Sequence, residues 1–287
     1  MVKEKNLITK IIAFLHFKQK SGVLNRYNSL ISPLEFNTRK SVKHTKSIQE
    51  FISILSPNKF KGDLKRFGDK GDGSYVLPKN IVTPKTYLIS GGISDNNEFE
   101  IELAKKGVKG IQVDNSITKA PKEHKNLVFK IATLGERDGT QEISLENLIS
   151  SAPAYKNLIV KLDIEGAEIA ALQHLSEKSL KKINCLVLEL HNLSSLVQND
   201  RILQALVKLK NSGLSSVYLQ ANNGILDYII AGVLIPDNVE VTFVRKDQVS
   251  KPSPKDVLRI KNLTTKNNKL NTLTNIDHFL FFNVQIQ

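Results

Sequence analysis

Tryptophan is absent from this chain, and methionine and cysteine occur once each. A core without tryptophan must be built from Leu, Ile, Val and Phe. A single thiol, Cys185, can form neither an internal disulfide nor a paired-cysteine zinc site, which favours a reducing compartment. Cys185 lies between Ile183 and the run Leu186 to Leu188, so it reads as part of a buried strand and not as a nucleophile. No Arg-rich run and no recognisable nucleic-acid module is present. The apolar cluster near the start (Leu7, Ile8, Ile11, Ile12, Phe14, Leu15, Phe17) is broken by Lys10 and His16, and no small-residue cleavage site follows. It is too short to span a bilayer and does not read as a signal peptide. An amphipathic helix over residues 6–17 fits better, docked on the protein or, as the alternative, lying peripherally on a membrane surface. The expected location is cytoplasmic.

What is present is a 287-residue chain with 40% hydrophobic residues and a formal charge of +13. That is enough for one sizeable α/β domain with an extension. The basic balance admits a nucleic-acid or membrane partner. The lysines are scattered along the whole chain, however, so a solvated Lys-rich surface is preferred and nucleic acid is disfavoured. Residues 1–60 read as a helical extension, with a helix over Ser47 to Leu55 that Pro57 ends. Residues 61–287 alternate strand and helix. Strands are expected at Thr86–Ser90, Gly110–Val113, Leu127–Ala132, Leu158–Leu162, Ile183–Leu190, Ser216–Leu219, Glu240–Val244 and Phe279–Val284. Helices are expected at Asn97–Lys106, Leu145–Ser150, Glu168–Leu175 and Asp200–Lys210. Near-continuous apolar strands such as LIVKL and CLVLEL belong in a sheet covered on both faces. The fold class is therefore α/β: a doubly wound, mostly parallel sheet.

In such sheets ligands bind outside the carboxyl ends of the strands, so the residues just past each strand carry the candidate chemistry. Gly91 and Gly92 follow the first strand and let the backbone approach a bound cofactor. Asp114 ends the second strand, where a carboxylate can accept both hydroxyls of a ribose. Together they indicate a nucleoside-containing cofactor and go no further. Asp163, Glu165 and Glu168 crowd one strand-to-helix turn around Gly166, and like charges this close need a cationic or donor-rich neighbour. Lys161, a metal, or a cationic cofactor would serve. Glu189 and His191 close the next strand, and His191 suits a general base. Asn222 and Asn223 follow a later strand.

These motifs together resemble the FkbM-type methyltransferases, a family of class I S-adenosylmethionine-dependent enzymes. KLDIEGAEIAAL (Lys161 to Leu172) carries most of the resemblance. LVLELH (Leu186 to His191), RFGDKGDGSYVL (Arg66 to Leu77), ISGGISDNNEFEIELAKKG and the late segments ANNGI and IPDNVEVTFVRKD add to it. The resemblance implies a Rossmann-like domain of seven strands, S-adenosylmethionine as cofactor, and a hydroxyl acceptor on a sugar, a glycan or another small metabolite. It implies that Gly91, Gly92 and Asp95 shape the cofactor pocket, that Asp114 holds the ribose, and that Asp72 and Glu100 line or support it. Asp163, Glu165 and His191 would face the transferring methyl, with His191 or Asp163 as base. No metal ligand is required, although Asp163 and Glu189 could hold a divalent ion. Ser94 stands where the family's turn has a further glycine, and Gln220 where a histidine is expected. The alternatives are an RNA methyltransferase and a catalytically degenerate binding protein of the same fold.

Overall fold

The computed structural model describes residues 38–69, 71–193, 200–222, 227–230, 233–253, 255–256 and 262–263, with the backbone alone at 38–45, 227–230 and 233–234. The apolar cluster at 7–17, Asn223 and the strand expected at 279–284 lie outside these residues. The elements follow the chain. Helix α1 is Thr38–Leu55, then β1 Lys59–Phe60, β2 Leu64–Phe67, β3 Tyr75–Pro78 and β4 Thr86–Gly91. Helix α2 (Glu98–Lys105) leads to β5 (Lys109–Val113), β6 (Leu127–Lys130), β7 (Thr133–Gly135) and β8 (Glu142–Ser144). Next come α3 (Leu145–Ser151), β9 (Asn157–Leu162), α4 (Glu168–Gln173), α5 (Glu177–Lys182) and β10 (Cys185–Leu190). The last elements are α6 (Arg201–Asn211), β11 (Leu214–Ala221), β12 (Asp227–Ile230), β13 (Val233–Pro236), β14 (Val239–Arg245) and β15 (Val249–Ser250).

Seven strands form the central sheet in the order β11-β14-β10-β9-β4-β5-β6. Pairings from β10 through β9, β4 and β5 to β6 are parallel; β14 runs antiparallel between β10 and β11. This is the doubly wound, mostly parallel sheet expected from the apolar strands. From β4 the chain winds outward through β5 to β6, then returns to place β9 on the other side of β4. That reversal opens a crevice at the carboxyl ends of β4 and β9.

Side-chain alternation sorts the core into two layers. Leu158, Val160 and Leu162 of β9 and Leu186, Leu188 and Leu190 of β10 pack with Ile48, Phe51, Ile52 and Leu55 of α1. Ile159, Cys185, Val187 and Leu88 face the other way, against Phe67, Tyr75, Leu77, Phe99 and Leu103. The Ile48, Phe51, Ile52, Leu55 spacing gives α1 its buried stripe. The helix ends where Ser56 turns its amide and its hydroxyl onto the Ile52 carbonyl.

Helix α4 stops at Gln173 instead of reaching Leu175, because Ser176 caps a separate helix, accepting the Ser179 amide. The antiparallel pairs β2–β3 and β12–β13 have no counterpart in the expected elements. The four-residue β2 contains Lys65 and Arg66, and such a segment lacks the apolar pattern that announces a strand. Among the described residues, no helix is long and apolar enough to cross a membrane.

Cys185 is fully buried in β10, and burial pushes its thiol far above the ordinary cysteine range. The native chain should therefore resist Ellman's reagent and release one equivalent of thiol in denaturant. Fast labelling under native conditions would show that this strand is not sealed.

Candidate active site

The period-2 alternation also builds the site. Ser90, Lys161 and Glu189 lie two residues beyond Leu88, Ile159 and Val187, and Glu240 lies four residues before Val244. All four therefore project from the same sheet face as those apolar residues, toward one end of it. Each is nearly inaccessible to solvent. The sheet thus turns from an apolar layer into a buried polar layer as it reaches the crevice.

Lys161 organises the centre of that layer. Its ammonium donates to the Gly92 carbonyl, stands 3.7 Å from Asp163 Oδ2 and lies over the Tyr75 ring. Tyr75, on β3, donates its hydroxyl to the same Asp163 oxygen. Burial, together with the charges of Asp163 and Glu189, raises the Tyr75 phenol well above its ordinary value, so it stays a donor. Glu189 and Glu240 are directly paired across β10 and β14. Asn222 donates to Glu189 at 2.8 Å, and Arg66 stands 3.3 Å from Glu240. Burial first, then the charges of Asp163 and Glu240, push Glu189 upward from the usual carboxylate range.

The glycine turn closes against this layer. Gly92 has φ +74°, and a β-carbon there would sit 1.6 Å from the Asp163 carbonyl oxygen. Asp114 holds the turn from the other side. One oxygen accepts the Ile93 and Ser94 amides at 2.7 and 2.9 Å; the other accepts the Ser116 amide and hydroxyl at 2.7 and 2.6 Å. Burial opposes ionisation of Asp114, but these hydrogen bonds outweigh it and hold the carboxyl below its usual range. Ser94 takes the left-handed conformation (φ +44°), which explains how a serine serves where the resembled family has a glycine.

Past β9 and β10 the side chains form a cup. His191 presents Nδ1 to Glu168 Oε1 at 2.9 Å. Its Nε2 faces Glu165 at 3.6 Å, Glu189 at 3.8 Å and Asp163 at 3.9 Å. Glu168 Oε1 also accepts the Ile164 and Gly166 amides, so it ties the turn to the histidine. Burial disfavours the imidazolium, but the Glu168 hydrogen bond and the surrounding carboxylates prevail and raise His191. The crowding of Asp163, Glu165 and Glu168 is thus offset by Lys161, His191 and backbone amides.

Asp163, Glu165 and His191 come together in this cup, and Gly91, Gly92 and Asp114 form the adjoining turn. Asp72 is exposed on the β2–β3 loop; its carbonyl accepts Asn96 from the glycine turn at 3.3 Å. Asp95 is exposed on that turn. Glu100 is buried and accepts Ser90 at 2.6 Å, so it supports the turn from beneath. Gln220 accepts Arg66 at 2.9 Å and belongs to the scaffold behind the cup. Sequence reasoning missed the roles of Tyr75, Tyr218 and Glu240. Only their motifs were visible, since their partners lie across 88, 152 and 174 residues of chain.

No family model matches the chain, and no curated protein does. Solved structures to which this chain is similar include the fibrillarin/Nop5p complex, at TM-score 0.36 and 8% identity over 56% of this chain and 73% of that one. Another is cofactor-bound Rv0187 from MTB, at TM-score 0.33 and 8% identity, over 76% of this chain and 95% of that one. A third is the antibiotic-resistance methyltransferase Kmr, at TM-score 0.28 and 12% identity, over 62% and 99%. Likeness of this degree leaves the functional reading to rest on this chain's own residues.

Proposed function

We propose that this protein is an S-adenosylmethionine-dependent methyltransferase that methylates a hydroxyl oxygen of a sugar, glycan or other small metabolite. The observation that carries the reading is the convergence of the glycine turn, Asp114 and the Asp163–Glu165–His191 cup at the switch point of a doubly wound sheet. The FkbM-type resemblance of KLDIEGAEIAAL falls on this cup, and the seven-stranded sheet is the architecture that resemblance implies.

The residues fit the cofactor. Three of the four donors on Asp114 are backbone amides; the fourth is the Ser116 hydroxyl, which can rotate away and free an acceptor for a ribose hydroxyl. Gly91 and Gly92 bring the turn against Asp163 with no side chain between. The carboxylates of the cup suit a cationic donor, and their density in a chain of net charge +13 disfavours a polyanion in the crevice. When bound, the cofactor supplies an electrophilic methyl group. The chain's own groups align the acceptor and take its proton. Asp163 is oriented by Tyr75 and Lys161 through one oxygen, leaving the other toward His191. We assign proton uptake to Asp163, whose free oxygen faces the His191 ring that Glu168 fixes.

The test is isothermal titration with S-adenosylmethionine, with NAD as control. Saturable binding of S-adenosylmethionine alone is expected, weakened at least about tenfold in Asp114→Ala by loss of a charge-assisted hydrogen bond. A folded protein that binds neither compound overturns the reading and leaves a non-catalytic protein of this fold.

A further inference from the structure

We infer that Asp163, Glu189 and His191 form a binding site for one divalent transition-metal ion. This goes beyond the methyl-transfer reading and does not depend on it. One ligand atom from each residue lies within 4.8 Å of the others, and no ion is present. The three come from the ends of neighbouring strands β9 and β10.

The decisive feature is His191 Nε2. The side chain is only 8% exposed, and Nε2 points at carboxylate oxygens of Asp163, Glu189 and Glu165 at 3.9, 3.8 and 3.6 Å. Hydrogen bonds of this type are about 2.7–3.2 Å long, so none of the three is made. With Nδ1 bonded to Glu168, Nε2 is the ring nitrogen left open to an ion. The carboxylates around it favour a positive charge there, and a divalent ion would supply that charge in place of the imidazolium proton, which it releases on binding. Ligands ~2.1 Å from a tetrahedral ion stand about 3.4 Å apart, so Nε2 and its two carboxylates, at 3.9 and 3.8 Å, close by roughly half an ångström, and the two carboxylates, within 4.8 Å of each other, by up to about 1.4 Å.

Each proposed ligand is braced. Tyr75 holds the other Asp163 oxygen, Asn222 holds Glu189, and Glu168 holds the far side of the His191 ring. Metal-bound histidines characteristically give their second N–H to a carboxylate in this way. Glu168 is fully buried, and its second oxygen, Oε2, has no hydrogen-bond partner. Lys161, the nearest buried ammonium, is engaged by Gly92 and the opposite oxygen of Asp163. One imidazole with two carboxylates matches Mn²⁺, Fe²⁺ or Zn²⁺ better than Ca²⁺.

The experiment titrates the chelator-treated full chain with Mn²⁺, without S-adenosylmethionine, following free Mn²⁺ by electron paramagnetic resonance. One Mn²⁺ per chain is expected, with a rise in the thermal transition. Binding should be lost in Glu189→Gln and His191→Ala, fall about 10–100-fold in Glu168→Gln, and persist in Glu177→Gln, an exposed acid outside the cup. Circular dichroism reports the folding of each variant. Should His191→Ala not fold, the wild-type stoichiometry and the isosteric Glu189→Gln decide. Absence of saturable binding by the folded wild-type chain, or binding that survives in Glu189→Gln, overturns the proposal. Neither result touches the S-adenosylmethionine titration, so the two readings fail separately.

Discussion

Gly92→Ala should destabilise the protein by about 3 kcal/mol or more and abolish ligand binding at the turn. Two costs combine. The residue has φ +74°, a conformation alanine adopts only under strain, and the added methyl would stand 1.6 Å from the Asp163 carbonyl oxygen. That oxygen belongs to the backbone at the end of β9, so it cannot swing aside as a side chain would. The turn must separate from Asp163, which also displaces the Gly92 carbonyl from Lys161. Urea unfolding measures the stability and titration measures the binding. Gly139→Ala is the control, since its nearest neighbour would be the Glu142 β-carbon at 3.8 Å. Equal behaviour of the two variants would mean that the turn does not rest on Asp163.

Arg66→Ala should cost about 3–5 kcal/mol, the usual penalty for removing one partner of a buried ion pair. The guanidinium stands 3.3 Å from Glu240 and donates to Gln220 and the Leu263 carbonyl at 2.9 Å and to Tyr218 at 2.5 Å; it also donates to the Ser74 carbonyl. It therefore joins the β2–β3 hairpin to β11 and β14 behind the cup. Desolvation opposes its charge, but Glu240 and Tyr218 prevail and raise its pKa further. Arg66→Lys should recover only part of the loss, because an ammonium lacks the planar fork that reaches several acceptors at once. Thermal melting would show a drop of about 2–4 °C per kcal/mol for a domain of this size. A melting point within one degree of wild type in Arg66→Ala would show that the network carries no stability.

The same two sites mark how much was legible beforehand. Gly91, Gly92, Asp114, Asp163 and His191 were readable because each follows an apolar strand, and an apolar strand fixes where its own carboxyl end must lie. The turn at Asp163 was readable as a charge problem, since three carboxylates within six residues demand an offset. What offsets them was not readable. Arg66 sits on a short strand with two basic residues and Tyr75 on a four-residue strand that ends in proline, both too short to stand out by periodicity, and their partners are distant in sequence.

The sequence by itself determined the class of fold, the alternation that splits the core into two layers, and the residues at each strand end. Those follow from local periodicity, which any segment carries within itself. Tertiary structure alone decided that β14 enters the sheet antiparallel and sets Glu240 opposite Glu189, that Glu100 lies beneath the turn, and that His191 Nε2 faces carboxylates from two strands. The pairing of Glu189 with Glu240 depends on register between strands far apart in the chain, since a shift of one residue would send either side chain to the other face; the placing of Glu100 and His191 depends on how distant segments pack.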